Sequence, residues 1–183
     1  YRGHSYSELN EYDNALKDFS WIAENSPNAP KIWFNMGLAK MHLGKFDEAK
    51  EDLIKATELK EDYERAHFLL GMTYANLDEH GSAIEHYSRA IALDSNYYQA
   101  YYYRGVSRGV QKDHNKAISD YSKALAIDST YAMAYYNRGV SKVALNNFRE
   151  GCRDFYLALE LGYKQAKQMI ATYCKNHPSS EYE

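Results

Sequence analysis

The chain has little cysteine, no block of one charge and no long apolar run. Its two cysteines, Cys152 and Cys174, lie in 183 residues without a CxxC spacing. That excludes a disulfide framework and leaves a single bridge open. Both are expected as buried helix residues, because cysteine is commonly a core side chain, and they do not indicate a compartment. The formal charge is -3 and the pI about 6.2, with acidic and basic residues interspersed. Nucleic-acid binding by phosphate neutralisation therefore has no electrostatic support. No stretch approaches roughly 18 uninterrupted apolar residues, so no spanning helix is expected.

Signatures of chemistry are also missing. There is no glycine-rich phosphate loop and no nucleophile elbow. The seven histidines, His4, His42, His67, His80, His86, His114 and His177, do not recur with cysteine or carboxylates at metal-ligand spacing. His80 falls in register with Tyr12, Phe46 and Phe148 and reads as packing. The neighbouring carboxylates Glu51 and Asp52 point to different faces of a helix and are expected in solvent. No enzyme activity, metal or cofactor is expected.

What is present is a composition 45% hydrophobic and 26% charged, which is that of an ordinary folded protein. Tyrosine is abundant, 19 in all, with five crowded into 97–103. Stepping by 34 shows that this cluster is one copy of something recurrent. Gly3, Gly37, Gly71, Gly105 and Gly139 form one column. Ala15, Ala49, Ala83, Ala117 and Gly151 form a second, and Ile22, Ala56, Ala90, Ala124 and Ala158 a third. Between them runs a large column, Phe19, Leu53, Tyr87, Tyr121 and Phe155. Within a unit, Ala83, Ile84, Tyr87, Ala90 and Ile91 make one apolar helical stripe. Polar turns such as Leu43-Gly44-Lys45 and Leu145-Asn146-Asn147 separate it from a preceding helix that carries the glycine. Each unit thus reads as helix, tight turn, helix. A glycine inside a helix costs roughly 0.5 to 1 kcal/mol against alanine, so its recurrence implies close approach of the two helices, with the third column receiving the next unit.

This pattern resembles the tetratricopeptide repeat. Trp33-Phe34-Asn35-Met36-Gly37 matches the opening of its signature, Ala15 to Phe19 the middle and Pro27 the terminal proline. The resemblance runs over residues 1–165, although the proline column continues as Glu61, Ser95, Ser129 and Tyr163. The family's tyrosine column reads Tyr6, Lys40, Tyr74, Arg108 and Lys142. It implies an all-α fold, a right-handed helical-repeat solenoid of stacked helix-turn-helix units with a C-terminal capping helix, in one domain over 1–177. Its parts are a partial repeat at 1–29, repeats at 30–63, 64–97, 98–131 and 132–165, a capping helix at 166–177 and a frayed tail at 178–183. Because residue 1 falls inside a helix of the register, sequence N-terminal to it is expected to be missing, and the compartment stays undetermined. The cap is read from the stripe Ala166, Met169, Ile170, Tyr173 and Cys174.

In the family, the first helix of each unit lines a concave groove. Carried over, the groove would be lined by Lys31, Phe34, Asn35 and Leu38, by Arg65, Phe68, Leu69 and Met72, by Gln99, Tyr102, Tyr103 and Val106, and by Met133, Tyr136, Asn137 and Val140. The resemblance thus implies an aromatic ladder, Phe34, Phe68, Tyr102 and Tyr136, beside an aliphatic one, Leu38, Met72, Val106 and Val140. Tyr97 and Tyr101, in contrast, are read as packing. The ladders point to a scaffold holding a protein or peptide partner, with the Lys31 and Arg65 end suited to an acidic residue. Against this stands the reading that the aromatic ladder is itself packing. Glycan binding on Tyr102, Tyr103 and Tyr136, and self-association through the groove or an open end, are the alternatives. The family's clamp for a terminal carboxylate is incomplete, since His4 and Leu69 occupy two of its positions, and Leu69 and Tyr103 break its asparagine ladder.

One further recurrence concerns charge. Arg2 with Asp18, Arg104 with Asp120 and Arg138 with Asp154 each stand 16 apart, which predicts an ion pair between the helices of a unit, worth about 0.5 to 1 kcal/mol if partly exposed. Met36 with Asp52 and Leu70 with His86 take these places in the other two units.

Overall fold

The computed structural model of the chain describes residues 12–175. Among them run ten helices: α1 (Tyr12–Asn25), α2 (Pro30–His42), α3 (Phe46–Leu59), α4 (Glu64–Asn76), α5 (His80–Leu93), α6 (Tyr98–Val110), α7 (His114–Ile127), α8 (Ala132–Ala144), α9 (Phe148–Glu160) and α10 (Ala166–Tyr173). The chain divides between Ser95 and Asn96 into two compact units. In the first, α1 packs on α2, and the hairpins α2–α3 and α4–α5 follow, with α3 against α4. In the second, the hairpins α6–α7 and α8–α9 are joined through α7 and α8, and α10 packs on α9.

The hairpins close in the same way four times. Gly44, Asp78, Lys112 and Asn146, 34 residues apart, all have positive φ between 62° and 73°. The amide after each donates back to the preceding helix, at 2.9 Å in every case: Lys45 to the Lys40 carbonyl, Glu79 to Tyr74, Asp113 to Arg108 and Asn147 to Lys142. A left-handed residue that ends a helix by satisfying its last carbonyls is a C-cap. It turns the chain back sharply, so the two helices of a hairpin lie antiparallel at short range.

The recurrent glycines set that range. A Cβ built on Gly71 would lie 2.7 Å from the Tyr87 ring, one on Gly105 2.7 Å from Tyr121, one on Gly139 2.7 Å from Phe155, and one on Gly37 2.6 Å from Leu53. Each glycine is therefore the seat of the large side chain opposite, and Ala49 and Ala83 present only backbone carbonyls at 3.2–3.3 Å. The second and large columns are sealed, with Ala15, Ala49, Ala83, Ala117, Leu53, Tyr87 and Phe155 at 0% exposure. Gly151 replaces alanine where Val143 presses in, 2.8 Å from the site of its missing Cβ. The third column receives the following helix, as Ala56 clusters with Ala66, Ala124 with Ala134 and Ala158 with Ala166.

The C-terminal helix ends at Tyr173, short of the expected 177. Ala166 is buried and Met169 and Ile170 half-buried, but Tyr173 is 40% exposed and stacks on Phe148. Cys174 follows the helix, is buried, and forms a disulfide with Cys152 of α9. The question the sequence left open is resolved as a bridge across 22 residues. Residue 3 of the glycine column, Arg2 of the first ion pair and the tail 178–183 lie outside the described residues.

Candidate functional site

In each unit the first helices of successive hairpins lie side by side, α2 next to α4 and α6 next to α8. Pro30 at the first position of α2 fits a helix start, where the missing N–H is no loss. Trp33 is tied to the turn before it, its indole N–H donating to the Pro27 carbonyl at 2.7 Å.

The sixteen groove positions divide into two kinds on these faces. Phe34, Phe68 and Tyr102 are buried, at 5%, 9% and 7% exposure, and so is Asn35. Phe34 stacks on Tyr63, and Phe68 leans on Tyr87. Tyr102 is ringed by Tyr103, Tyr121 and Tyr131, and its hydroxyl accepts from Asn137 at 2.8 Å. Burial pushes the Tyr102 phenol up to about 12 and also raises those of Tyr121 and Tyr131. These rings thus serve packing: Phe34 and Tyr102 fill the step to the following hairpin at Tyr63 and Tyr131, and Phe68 fills the space beside Tyr87 within its own hairpin. Tyr136 is the member of that ladder that keeps partial exposure, though it too touches Phe155 and Tyr163.

The other positions face outward to some degree. Leu38, Leu69 and Met72 are half-buried on α2 and α4, and Lys31 and Arg65 are exposed. The Arg65 guanidinium sits 5.5 Å above the Phe34 ring, a cation–π placement. On α6 and α8, Gln99, Tyr103, Val106, Met133, Tyr136, Asn137 and Val140 are all half-buried. The face of the first unit therefore carries cations beside aliphatic side chains, and that of the second carries neutral polar, aromatic and aliphatic groups. Tyr101, expected as packing, is half-buried under the Arg104 guanidinium, and the matching Tyr135 lies under Arg138.

Behind these faces lies the charge pattern. Arg104 binds Asp120 through two hydrogen bonds of 3.0 and 2.7 Å, and Arg138 binds Asp154 through two of 2.8 and 2.7 Å. The aspartates are sealed, at 2% and 1% exposure, so these pairs are more buried than the partly exposed ones the sequence suggested. Each also holds a second cation, Arg108 at 2.7 Å from Asp120 and Lys142 at 2.8 Å from Asp154. Asp52, expected in solvent, is 5% exposed and paired with Lys40 at 2.7 Å. Burial raises its carboxyl above the usual range although Lys40 pulls the other way. The second cation was missed by sequence reasoning, yet its signal was present. Lys40, Arg108 and Lys142 occupy the family's tyrosine column, and a cation appears there only in units with an aspartate 12 residues on.

The unit with neither cation is α4–α5. There Leu70 fills the arginine position, Tyr74 the second-cation position and His86 the aspartate position. His86 meets His67, which stands in the Tyr101 and Tyr135 column, with Nδ1 to Nδ1 at 3.2 Å. His80, by contrast, lies against Asp78. Among the described residues no group of three or more histidine, cysteine, aspartate or glutamate side chains could hold a metal, and no helix is long and apolar enough to cross a membrane.

A comparison with curated proteins finds no match. Solved structures do match. MamA is similar at 29% identity and a TM-score of 0.84, over 90% of this chain and 96% of that one. A MamA from Desulfovibrio magneticus RS-1 is similar at 20% identity and a TM-score of 0.83, over 89% and 92%. YrrB, described as a TPR protein with an unusual peptide-binding site, is similar at 20% identity and 0.81, over 93% and 88%. Profiles of the tetratricopeptide repeat match residues 2–49 and 34–98, and a TPR repeat profile matches 111–146. Built from repeated helical hairpins in a 34-residue register and matched by these profiles over more than half its length, the chain belongs to the tetratricopeptide repeat family, an all-α class of helical-repeat solenoids.

Proposed function

We propose that this protein holds a partner peptide against the first-helix faces of its hairpins, as a scaffold without chemistry of its own. Tetratricopeptide repeat proteins in general mediate protein–protein interaction, and the fold neighbour YrrB is described as having a peptide-binding site. The observation that carries the reading is the aliphatic row. Leu38 and Met72 in one unit, and Val106 and Val140 in the other, recur at one register and remain half-buried, while Phe34, Phe68 and Tyr102 beside them are buried. Apolar side chains left at the surface at a helical-repeat spacing suit a partner with apolar residues at matching intervals. Lys31 and Arg65 add a place for an acidic group at the first unit's face.

The test is affinity capture with the wild-type chain and a Met72→Ser/Val106→Ser variant, with Glu85→Ala as a control, and partners identified by mass spectrometry. Positions in the aromatic ladder are unsuitable, since truncating a buried ring costs roughly 3 to 5 kcal/mol of stability. The proposal expects the row variant to lose partners that wild type and control retain. Recovery of the same partners by all three rules it out.

A further inference from the structure

The hairpin α4–α5 replaces the buried ion pair of its neighbours with two imidazoles, and the geometry assigns their protons. His67 Nε2 lies 3.1 Å from the Glu61 carbonyl oxygen. A carbonyl only accepts, so Nε2 carries the hydrogen, and neutral His67 presents a lone pair at Nδ1. His86 Nδ1, 3.2 Å away, must then be the N–H that donates to it. The two rings are nearly parallel, with centroids 5.4 Å apart, and Tyr74 also stacks on His86 at 5.3 Å.

This arrangement has room for one added proton and not for two. Protonating His86 at Nε2 keeps the N–H···N bond. Protonating His67 as well puts an N–H on each facing nitrogen, breaks the bond and sets two like charges together in a half-buried site. The charged groups around the pair offer no rescue. From α5, Arg89 lies close enough to disfavour a charge on His67. From α3, Lys50 sits over Tyr74 and is itself bound to Glu79 at 3.1 Å. Glu58 and Glu61 line the same open cavity of about 360 Å³ as His67 and Arg89, but neither forms an ion pair with an imidazole among the described residues. That cavity brings water, and hence protons, to His67.

We propose that the His67–His86 contact makes α4–α5 an acid-sensitive hairpin, closed while the pair shares a single N–H···N bond and loosened once both rings are protonated, with the aspartate-paired hairpins staying closed. Burial lowers both imidazoles, His67 below its ordinary range and His86 to about 4. The opened hairpin, with histidines near 6.5, then binds more protons than the closed one. Closure is therefore fully favoured above about pH 6.5 and weakens as pH falls toward 4, by up to about tenfold in the opening equilibrium per pH unit and proton taken up. Because α4 also carries Arg65, Leu69 and Met72, acid would alter the first unit's candidate binding face. The inference itself does not rest on that face binding anything.

The experiment is amide hydrogen exchange on the full chain at pH 7 and pH 5, expressed as protection factors so that the pH dependence of the exchange chemistry cancels. The helices α4 and α5 are expected to lose at least about tenfold in protection between the two pH values, while α8 and α9 change little. A Tyr74→Lys/His86→Asp variant installs the lysine–aspartate pair that Lys142 and Asp154 form, and His86→Gln removes one titrating ring should the double variant fail to fold. The double variant is expected to abolish the difference, and His86→Gln, which leaves His67 to titrate, to reduce it. Equal loss in α4–α5 and α8–α9, or a pH response unchanged in the His86→Gln variant, overturns the proposal.

Discussion

Four residues with the same backbone job carry different side chains. Gly44, Asp78, Lys112 and Asn146 all hold positive φ at the hairpin turn, a conformation that costs a residue with a Cβ roughly 1 kcal/mol and glycine almost nothing. Asparagine and aspartate tolerate it through local hydrogen bonding, whereas lysine has no such compensation. Lys112→Gly is therefore expected to stabilise the protein by about 0.5 to 1 kcal/mol, seen as a rise of about 1 to 4 °C in thermal midpoint. A fall would mean that the lysine side chain contributes more than its backbone costs. The sequence displayed the turn plainly at Gly44 and Asn146. It did so at Lys112 only through the register, because lysine carries no turn signal of its own.

A hairpin is held by side chains that cross between its two helices, and the charged ones behave as a set. Asp154 is sealed between Arg138 and Lys142, so removing it leaves two cations without their shared partner. Asp154→Ala is expected to cost about 3 to 5 kcal/mol. Arg138→Met is milder, about 1 kcal/mol, since Asp154 would keep Lys142 just as Asp52 keeps Lys40 beside Met36. Denaturant titration of both variants checks the order, and equal losses would show that the second cation contributes nothing. Two of the three predicted arginine pairs were legible from spacing and are present, and the third has its Arg2 outside the described residues. Their burial was not legible, because exposure depends on what packs over the aspartate from a neighbouring helix.

At the scale of the molecule, the last helix is the weakest claim on a fixed position. It has eight residues, shorter than a helix that persists alone in water, and its buried anchor within the helix is Ala166. The Cys152–Cys174 bridge closes 22 residues around it, a constraint worth about 3 kcal/mol in a chain-entropy account. Reduction, or Cys174→Ser, is expected to lower the thermal midpoint and to raise amide exchange in α10 before the other helices. Unchanged exchange there would show that apolar contact alone keeps the cap in place. The stripe Ala166 to Cys174 was visible in the sequence as a cap, but its end and the exposure of Tyr173 were not, since the bridge rather than the apolar period sets where the chain turns.

The 34-residue register of small and large side chains was enough by itself to determine the hairpins, their order and the family, because glycine and alanine at fixed intervals permit only one close packing of successive helices. Tertiary structure alone decided the fate of individual side chains. Phe34, Phe68 and Tyr102 read equally as ligand platform or packing from their column, and only the proximity of Tyr63, Tyr87 and Tyr131 buries them. His67 and His86 read as scattered histidines until the hairpin set their rings together. Periodicity specifies which face a residue occupies, whereas burial and pairing depend on neighbours brought from another helix.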